Sequence, residues 1–396
     1  MTNLVESILK SMSSVNKPQR LFITNLFATL MVFQGKANFR NLSRYSHYCE
    51  RTISRWYHRG FSFLTFNTRL MNYYFTDNEQ IAAIDASFIS KSGKKTQGLA
   101  SFFNGARSIA EKGLEISLIC LVDLKSNTAY SLNARQTIDT EHKTRIDLYC
   151  DHISDIATSL KKLNVVYLAA DAFYSKFKFV NKVTDCGLHI IGKLRIDANF
   201  SWIYKGEYSG KGRPKKFEGK VDIHKQLNLF MDEIELENGL KLYSSVVYSH
   251  SLKREIKVVV VEFNRRNEVG RIILFSTDLM IRAQDVLKYY KSRFQIEFIF
   301  RDAKQYTGLT QCQSRKSKVI ENHVNAALTT LNLLKIEDAN EKDTQEKSVI
   351  SIASWKRRKF NQHLIGIVID RLGFSMTRKK VIDMHAELSD YGVIGF

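Results

Sequence analysis

Apolar and polar positions follow two different periods along this chain. Through residues 1–75 apolar side chains recur at helical spacing, as along Leu21–Phe27, and this predicts a set of helices. From about residue 80, short apolar runs rich in β-branched residues alternate with helical stretches, which predicts a mixed sheet with helices on its faces. Mainly helical sequence returns towards the C-terminus. The pattern therefore predicts an α/β protein with helical regions at both ends.

The bounds of the apolar runs predict where the strands and helices of the α/β region begin and end. Strands are predicted at residues 81–84, 114–122, 128–135, 165–170 and 188–192, and helices at 140–162 and 175–186. Residues 195–278 interrupt this alternation, because a basic loop with Gly and Pro at 209–216 is followed by β-branched runs. We expect a β-rich insertion there.

The balance of charge indicates a polyanionic partner. Sixty Lys and Arg against forty Asp and Glu give a formal net charge of +20, and such a chain repels itself unless it binds a polyanion, of which nucleic acid is the simplest. The excess is spread out: residues 288–318 carry 8 basic and 2 acidic residues, and residues 355–380 carry 8 and 1. This distribution is typical of a long binding track.

Other classes of protein find little support in the sequence. No stretch approaches the roughly 20 apolar residues of a membrane span, and the N-terminus lacks the apolar core of a secretory signal, so we expect a cytoplasmic protein with no membrane partner. The five cysteines are scattered and form no C-x-x-C pair, which argues against a disulfide framework or a structural zinc site. Gly-rich phosphate loops are also missing, so no nucleotide cofactor is expected.

Residues 38–60 predict a helix-turn-helix. A short helix is expected around Phe39–Tyr45, a turn near His47–Cys49, and a second helix in which Arg51 and Arg55 lie one turn apart. We interpret the two arginines as facing a DNA groove. The alternative is a plain helical bundle with a solvated basic face.

Four polar side chains share one face of the helix predicted after the insertion. At about 100° per residue they fall within a sector of roughly 60°, and they are Tyr290, Arg293, Glu297 and Lys304. Apolar Ile299 lies well round the far side, where it can pack in a core. This face presents a carboxylate among two cations, although a solvated surface helix could show it by chance.

Two aspartates upstream suggest what the glutamate does. Asp85 and Asp171 each end an apolar strand-like run, and two strand-borne aspartates with one helix-borne Glu297 can hold two divalent metals for phosphoryl transfer. Tyr174 and Lys176 lie close enough along the chain to reach a phosphate.

The choice of ligands leaves alternatives open. The second aspartate has three rivals, which are Asp123, Asp185 and Asp197. The rival of Glu297 is Asp302, which lies about 140° around the helix, off the cationic face.

Together these residues resemble a known family. An aspartate ending a strand, a second aspartate and a helix with Y-x2-R-x3-E-x6-K resemble the DDE-type cut-and-paste bacterial insertion-sequence transposases of the Tyr-Arg-Glu-Lys group, the family-four insertion sequences. The blocks that resemble it are Asp85–Phe88, Asp171–Tyr174, Phe275–Leu279, Tyr290–Lys304 and Gly308–Leu309. The spacings of 86 and 126 residues between the three carboxylates agree with it, and the second leaves room for the insertion. One departure is Phe294, where a Trp is expected.

The resemblance implies a ribonuclease-H-like catalytic domain that binds two Mg²⁺, for which Mn²⁺ can substitute, between Asp85, Asp171 and Glu297. It implies that the protein cleaves transposon ends, in this family commonly through a hairpin, and joins the 3′-hydroxyl ends to target DNA. The implied partners are double-stranded DNA, both terminal inverted repeats and target, and a second copy of the chain in a homodimer on DNA.

The resemblance also implies DNA contacts along the helix. Tyr290, Arg293 and Lys304 would hold phosphates beside the cut, and Arg301 is a further candidate on the same helix. The runner-up interpretations are a non-catalytic DNA-binding regulator or domesticated transposase, and a structure-specific nuclease on the same fold.

Two features of the insertion are further candidates for DNA contact. Trp202 could stack on a flipped base, and a core tryptophan is an equal alternative. The loop around Arg213, with Lys215 and Lys216, resembles the hooks that enter the minor groove of A·T-rich DNA. A disordered basic loop is the alternative.

The family resemblance covers about residues 80–310. Together with the pattern of helices and strands along the chain, it predicts a helical DNA-binding domain, a catalytic core split by the insertion, and a helical C-terminal region. The predicted bounds are 1–75 for the first domain, 78–194 and 279–335 for the two parts of the core, 195–278 for the insertion, and 336–396 for the last region.

Overall fold

A computed structural model describes residues 2–75, 79–105, 107–138, 141–208, 210, 212–237, 239–265, 268–341 and 351–394. Its α-helices are α1 (Thr2–Ser11), α2 (Lys17–Val32), α3 (Phe39–Leu42), α4 (Glu50–Arg59), α5 (Phe63–Tyr74), α6 (Arg145–Lys162), α7 (Phe177–Asp185), α8 (Ala283–Ser292), α9 (Gln295–Tyr306), α10 (Ser317–Glu341), α11 (Ile352–Arg371) and α12 (Lys379–Ser389). The strands are β1 (Gln80–Ser90), β2 (Ala100–Asn104), β3 (Ile109–Asp123), β4 (Thr128–Thr137), β5 (Tyr167–Ala170), β6 (His189–Leu194), β7 (Phe200–Ile203), β8 (Phe217–Lys220), β9 (Asp232–Glu235), β10 (Lys241–Ser249), β11 (Arg254–Arg265) and β12 (Glu268–Ser276).

All twelve of these strands join one mixed sheet. Its order is β2-β3-β1-β5-β6-β12-β11-β10-β7-β8, with β4 beside β3 and β9 beside β10. β1, β5 and β6 run parallel to one another, and the other pairings are antiparallel. The α/β class and the β-rich character of residues 195–278 are confirmed. The inserted strands do not form a separate sheet, however, because β12 pairs with β6 and extends the sheet that carries Asp85.

Helix α10 covers the outer edge of β4 with side-chain amides. Asn325 accepts from the Ala134 N–H at 2.9 Å and donates to the Ala134 carbonyl at 2.7 Å. Asn332 makes the same pair of bonds with the backbone of Ser131, both at 2.8 Å. An uncovered edge would leave these groups open to pairing with another chain. The amides of α10 therefore complete the sheet where a further strand would otherwise be needed.

This edge provides a test of stability. We expect Asn332→Leu to lower the free energy of unfolding by about 1–3 kcal/mol, because it leaves the buried Ser131 N–H and carbonyl without partners. Urea unfolding measures the change. Asn340→Leu is the matched control, since Asn340 is exposed near the end of the same helix. Equal losses in the two variants would contradict the role assigned to the amide.

The N-terminal helices share a hydrophobic core with the sheet. Phe66 of α5 and Leu328 of α10 belong to the same cluster of buried side chains as Ile84 of β1. Asn67 Nδ2 donates to the Leu132 carbonyl of β4 at 3.0 Å. Removing residues 1–75 would therefore expose the core that supports the sheet. The predicted domain bounds stay predictions.

Lys356 ties the C-terminal region to the end of α9. Its Nζ donates to the carbonyls of Tyr306 at 2.7 Å, Leu30 at 3.3 Å and Phe33 at 3.4 Å. The side chain is buried, and burial lowers the pKa of Lys356 to about 7.

Among the residues that the structure describes, no helix is long and apolar enough to cross a membrane.

The buried lysine makes stability depend on pH in a defined direction. In the unfolded chain the pKa of this lysine is about 10.4, so between about pH 7 and pH 10 the unfolded state binds more protons than the folded state, and stability rises with pH. Lys356→Met lacks this group. We therefore expect the free energy of unfolding of the wild type to increase relative to Lys356→Met from pH 7 to pH 10. A difference that stays constant in urea unfolding across this range would contradict the assignment.

Candidate active site

Asp85 within β1 and Asp171 directly after β5 lie at neighbouring positions of two parallel strands. The register of β1 and β5 places Ile84 opposite Ala170, and each aspartate is the next residue along its chain. Neighbouring strands are about 4.8 Å apart, so both carboxyl groups enter one region at this point of the sheet. The prediction that Asp85 ends its strand is wrong. β1 continues to Ser90 because its pairing with β3 extends that far.

Each aspartate is held by a nearby backbone amide. Asp171 follows β5 directly and caps a short 3₁₀ turn, in which its Oδ1 accepts from the Phe173 N–H at 2.9 Å. Asp85 Oδ1 accepts from the Ala86 N–H at 2.8 Å. These bonds orient one oxygen of each carboxylate.

The helix predicted to carry Tyr290 through Lys304 is interrupted, and the prediction of one continuous helix is wrong. α8 ends at Ser292 and α9 begins at Gln295. Between them, backbone bonds of the i to i−3 type replace the α-helical ones, such as Glu297 N–H to the Phe294 carbonyl at 3.0 Å. The sector of roughly 60° computed for a regular helix therefore does not describe the real arrangement.

Arg293 connects two of the three predicted carboxylates across this break. Its Nη1 lies 3.7 Å from Asp85 Oδ2, and its Nη2 lies 3.1 Å from Glu297 Oε1. Only 13% of the arginine side chain is exposed, and its Nε has no hydrogen-bond partner among the described residues. Glu297 and Asp85 therefore lie beside the same buried cation, the guanidinium of Arg293.

The three carboxylates also influence one another electrostatically. Burial raises the pKa of Asp85 to about 6; the adjacent Arg293 opposes this shift, and the charges of Asp171 and Glu297 add to it. In the described part of the chain, no group of three His, Cys, Asp or Glu side chains converges closely enough to hold a metal as they stand. The donors nonetheless suit a hard divalent cation, which binds carboxylate oxygens. A cation bound among the three carboxylates would relieve their mutual repulsion.

Lys304 approaches the same side of β1 as Asp85. Its Nζ donates to Ser87 Oγ at 2.7 Å, and Ser87, two residues beyond Asp85, faces the same side of the sheet. Burial lowers the pKa of Lys304. The sequence analysis did not single out Ser87 as the partner of Lys304. The signal that could have indicated it is its position two residues after Asp85.

Tyr290 also lies at this site, whereas Arg301 points elsewhere. The Arg293 guanidinium lies 5.9 Å from the centre of the half-buried Tyr290 ring, and burial raises the pKa of that phenol. Arg301 is exposed and donates to Asp302 Oδ1 at 2.9 Å. The structure therefore favours Glu297 over Asp302 as the third carboxylate, because Glu297 shares a cation with Asp85.

Two of the other rivals, Asp123 and Asp197, have local partners of their own. Asp123 is opposite Gln80 in the register of β1 and β3, about 17 Å along the strand from Asp85, and it accepts from the Lys125 N–H of its own turn at 3.0 Å. Asp197 is exposed and pairs with Arg195 at 3.1 Å. Both therefore behave as local turn or surface residues.

The neighbours expected to help Asp171 differ from each other. Tyr174 is 2% exposed and packs against Phe179, with 5.1 Å between the ring centres, so the expectation that it reaches a phosphate is wrong. Lys176 is exposed, and its Nζ lies 4.3 Å from the centre of the Phe173 ring. Only the lysine is accessible to DNA.

The residues predicted to form a helix-turn-helix fold as α3, which ends at Leu42 and not at Tyr45, followed by α4; that they act as a helix-turn-helix stays a prediction. Ile53 and Tyr57 of α4 are buried, whereas Arg51 and Arg55 are exposed on the opposite side. Asn322 of α10 holds this helix by donating to the Tyr57 carbonyl at 2.6 Å. The basic side of α4 therefore faces solvent, and its contact with DNA stays a prediction.

Two further predicted contacts lie in the insertion. Trp202 of β7 is half-buried, with its ring edge-on to Phe230 at 5.5 Å between centres and its Nε1 3.4 Å from Gln226 Oε1. The basic loop exposes three predicted residues, which are Arg213, Lys215 and Lys216. Ser209 and Lys211 of this loop lie outside the described residues. Both DNA contacts stay predictions.

Comparison with known proteins places most of the chain in one family. The model of one protein family, described as "Transposase DDE domain", matches residues 77–333. A search of the curated proteins found no match. The matched segment is more than half of the chain and contains Asp85, Asp171 and Glu297. The chain therefore belongs to the family of the transposase DDE domain.

Proposed function

We propose that this protein is a cut-and-paste transposase of the Tyr-Arg-Glu-Lys group, which binds insertion-sequence ends, cleaves them by metal-dependent phosphoryl transfer and joins the 3′-hydroxyl ends to target DNA. The observation that carries the proposal is the Arg293 bridge between Asp85 and Glu297, with Asp171 on the neighbouring strand. The family match and the net charge of +20 support it.

The strand order supports a ribonuclease-H-like core for this enzyme. The five strands β4-β3-β1-β5-β6 combine an antiparallel three-stranded meander with two further strands parallel to β1. In open sheets with parallel strands, functional groups gather near the carboxyl ends of the strands. Asp171 follows such an end, and the register places Asp85 beside it.

Asp85, Asp171 and Glu297 would hold two Mg²⁺, with Mn²⁺ as a substitute. Bound there, the metals would activate the attacking oxygen and stabilise the leaving oxygen of an in-line displacement. The chain's own cations position the DNA. Arg293 binds a phosphate through two parallel hydrogen bonds after leaving the carboxylates, and Lys304 and Tyr290 hold the backbone beside it.

A homodimer on DNA forms part of the proposal, because coordinated cutting of two ends requires two protomers. The α11–α12 region exposes many apolar side chains. Those at least 38% exposed are Leu364, Ile367, Val368, Leu372, Phe374, Met376, Ile382, Met384, Leu388, Tyr391 and Ile394. Large exposed apolar patches are typical of protein interfaces. Analytical ultracentrifugation with and without end DNA tests the dimer.

The exposed side of α4 supports recognition of the transposon end. We expect Arg51→Ala and Arg55→Ala each to weaken binding to end DNA, relative to random DNA, by about 1–3 kcal/mol if the residue reads a base. Gel-shift titration at fixed salt measures the difference. Lys161→Ala serves as a control that removes one exposed charge at the end of α6, outside residues 38–60. Unchanged discrimination in both variants would place recognition in the insertion or the C-terminal region.

A joining assay separates the proposed function from its rivals. The protein is incubated with Mg²⁺, a duplex copied from the end of the element that encodes it, and a target plasmid. A transposase transfers the cut 3′-hydroxyl into the plasmid, and a denaturing gel also shows whether a hairpin forms. A structure-specific nuclease stops at the nick, and a DNA-binding regulator leaves the duplex intact. Either of the last two results would overturn the proposal.

A further inference from the structure

A strongly basic cavity lies where β1 ends. It has a volume of about 540 Å³, within the range of about 300–1,000 Å³ that is usual for ligand sites. Its wall comes from residues 90–96 after β1, residues 310–315 after α9, and the segment after α2. None of the described residues that line it is acidic, and five are basic: Lys36, Lys91, Lys94, Lys95 and Arg315.

Hydrogen bonds hold the three segments of this wall together. The Gln97 N–H donates to the Arg315 carbonyl at 2.9 Å, and the Ala37 N–H donates to Gln311 Oε1 at 2.6 Å. Lys91 Nζ donates to the carbonyl of Cys312. The cavity is therefore built into the fold, and a ligand would find its walls already positioned.

The cations differ in their freedom to bind a ligand. Lys91 is half-buried and engaged with the chain, whereas Lys94 and Lys95 are exposed. Neither of these two forms an ion pair with the described residues. Uncompensated charge concentrated in a concave site attracts anions. None of the described lining residues is aromatic either, whereas sites for single strands usually stack bases on aromatic rings.

The cavity and the candidate active site lie along one strand. From Asp85, β1 passes Ser87, where Lys304 is bonded, and reaches the rim of the cavity at Ser90. At about 3.3 Å per residue, the rim is roughly 17 Å from Asp85. Helix α9 makes the same connection, since it carries Glu297 and leads into residues 310–315 of the wall.

We propose that this cavity binds the sugar–phosphate backbone of duplex DNA held in the candidate active site. Base pairs rise about 3.4 Å along the duplex, so a duplex that follows β1 would meet the cavity about five base pairs from the phosphate that is cut. This inference rests on the proposed function. The cavity adds a second contact with the DNA backbone, independent of the DNA sequence, that keeps the scissile phosphate aligned with the carboxylates.

The first test uses the double variant Lys94→Ala/Lys95→Ala of the full chain. Its binding to a duplex of arbitrary sequence is measured across a series of salt concentrations, without divalent metal. The log–log slope should become shallower by about 0.9 for each lost phosphate contact, so by up to about 1.8 for the pair. Both lysines are exposed, so the variant should fold normally, which a thermal melt checks.

A matched control removes the same charge elsewhere. Lys161→Ala/Lys162→Ala changes two exposed lysines at the end of α6. This helix covers the opposite side of the sheet from Asp85, because its His152 bonds Ser117, which is opposite Ala86 in the register. The control should retain the wild-type slope. Equal log–log slopes of binding against salt in the two double variants would overturn the proposal. A loss of affinity confined to single-stranded DNA of the same sequence would also overturn it.

A second test locates the contact on the DNA. Uncharged methylphosphonates are placed one at a time along the end duplex. Substitution about five base pairs from the cut should weaken binding by the wild type and leave Lys94→Ala/Lys95→Ala unaffected. The same sensitivity in both proteins would overturn the inference. If the wild type binds this duplex but fails to cut it with Mg²⁺, the proposed function fails, while the salt series still reports on the cavity.

Discussion

Replacing any one of Asp85, Asp171 and Glu297 by alanine is expected to abolish DNA cleavage while leaving binding to end DNA largely intact. Metal ligands act on the chemical step, whereas phosphate and base contacts determine affinity. Loss of several kcal/mol of transition-state stabilisation corresponds to about a thousandfold or more in rate. Cleavage of an end duplex with Mg²⁺, followed alongside gel-shift affinity, measures both quantities.

Asp185→Ala is the matched control for these three variants. Asp185 is an exposed aspartate at the end of α7 and was itself a rival candidate from the sequence. Its removal should leave the cleavage rate unchanged. Substantial cutting by Glu297→Ala would move the third ligand to another residue, and Asp302 would then be the next to test. Loss of cleavage in Asp185→Ala would instead indicate that Asp185, and not Asp171, is the second metal ligand.

Arg293→Ala is expected to bind end DNA within about tenfold of the wild type, or roughly 1.4 kcal/mol, yet to accumulate little nicked or hairpin product. A surface with a net charge of +20 has many other phosphate contacts, so general affinity should survive. What is lost is the two-pronged grip on one phosphate close to Asp85 and Glu297. Single-turnover cleavage at saturating protein separates this positioning defect from weak binding.

Arg293→Lys is the informative control, because lysine keeps the positive charge but lacks the planar fork of the guanidinium. It should preserve the fold, since the carboxylates keep a cation beside them, and it should still cut poorly. Thermal melts of both variants show whether the protein remains folded. If Arg293→Ala cuts and forms hairpins at the normal rate, the bridge to Asp85 and Glu297 has no part in catalysis.

Local patterning was a good guide to the elements of this protein. The strands around Asp85 and Asp171, the β4 hairpin and the N-terminal helices appear where apolar spacing predicts them. Burial of Ile299 likewise follows from its position on the far side of the helix from Glu297. Such patterns can be recognised in the sequence alone, because the side of a helix or strand that faces the core repeats with a fixed period.

The errors arose where neighbours in space override local pattern. Periodicity alone could not show that β1 runs past Asp85, because that extension depends on pairing with β3. The break between α8 and α9 was also missed, since it leaves the apolar spacing nearly unchanged. Tyr174 looked accessible in the sequence, yet it is buried against Phe179.

By itself, the sequence determined the class of fold and the net charge of +20, and it proposed three candidate carboxylates with rivals left open. The tertiary structure alone decided how those groups meet. Asp85 and Arg293 are 208 residues apart in the chain, and only the packing of the α8–α9 segment on the sheet, with α9 against β1, brings them to 3.7 Å. The reason is physical: residue spacing encodes which side an element buries, whereas strand register, helix breaks and shared ion pairs depend on contacts between distant segments.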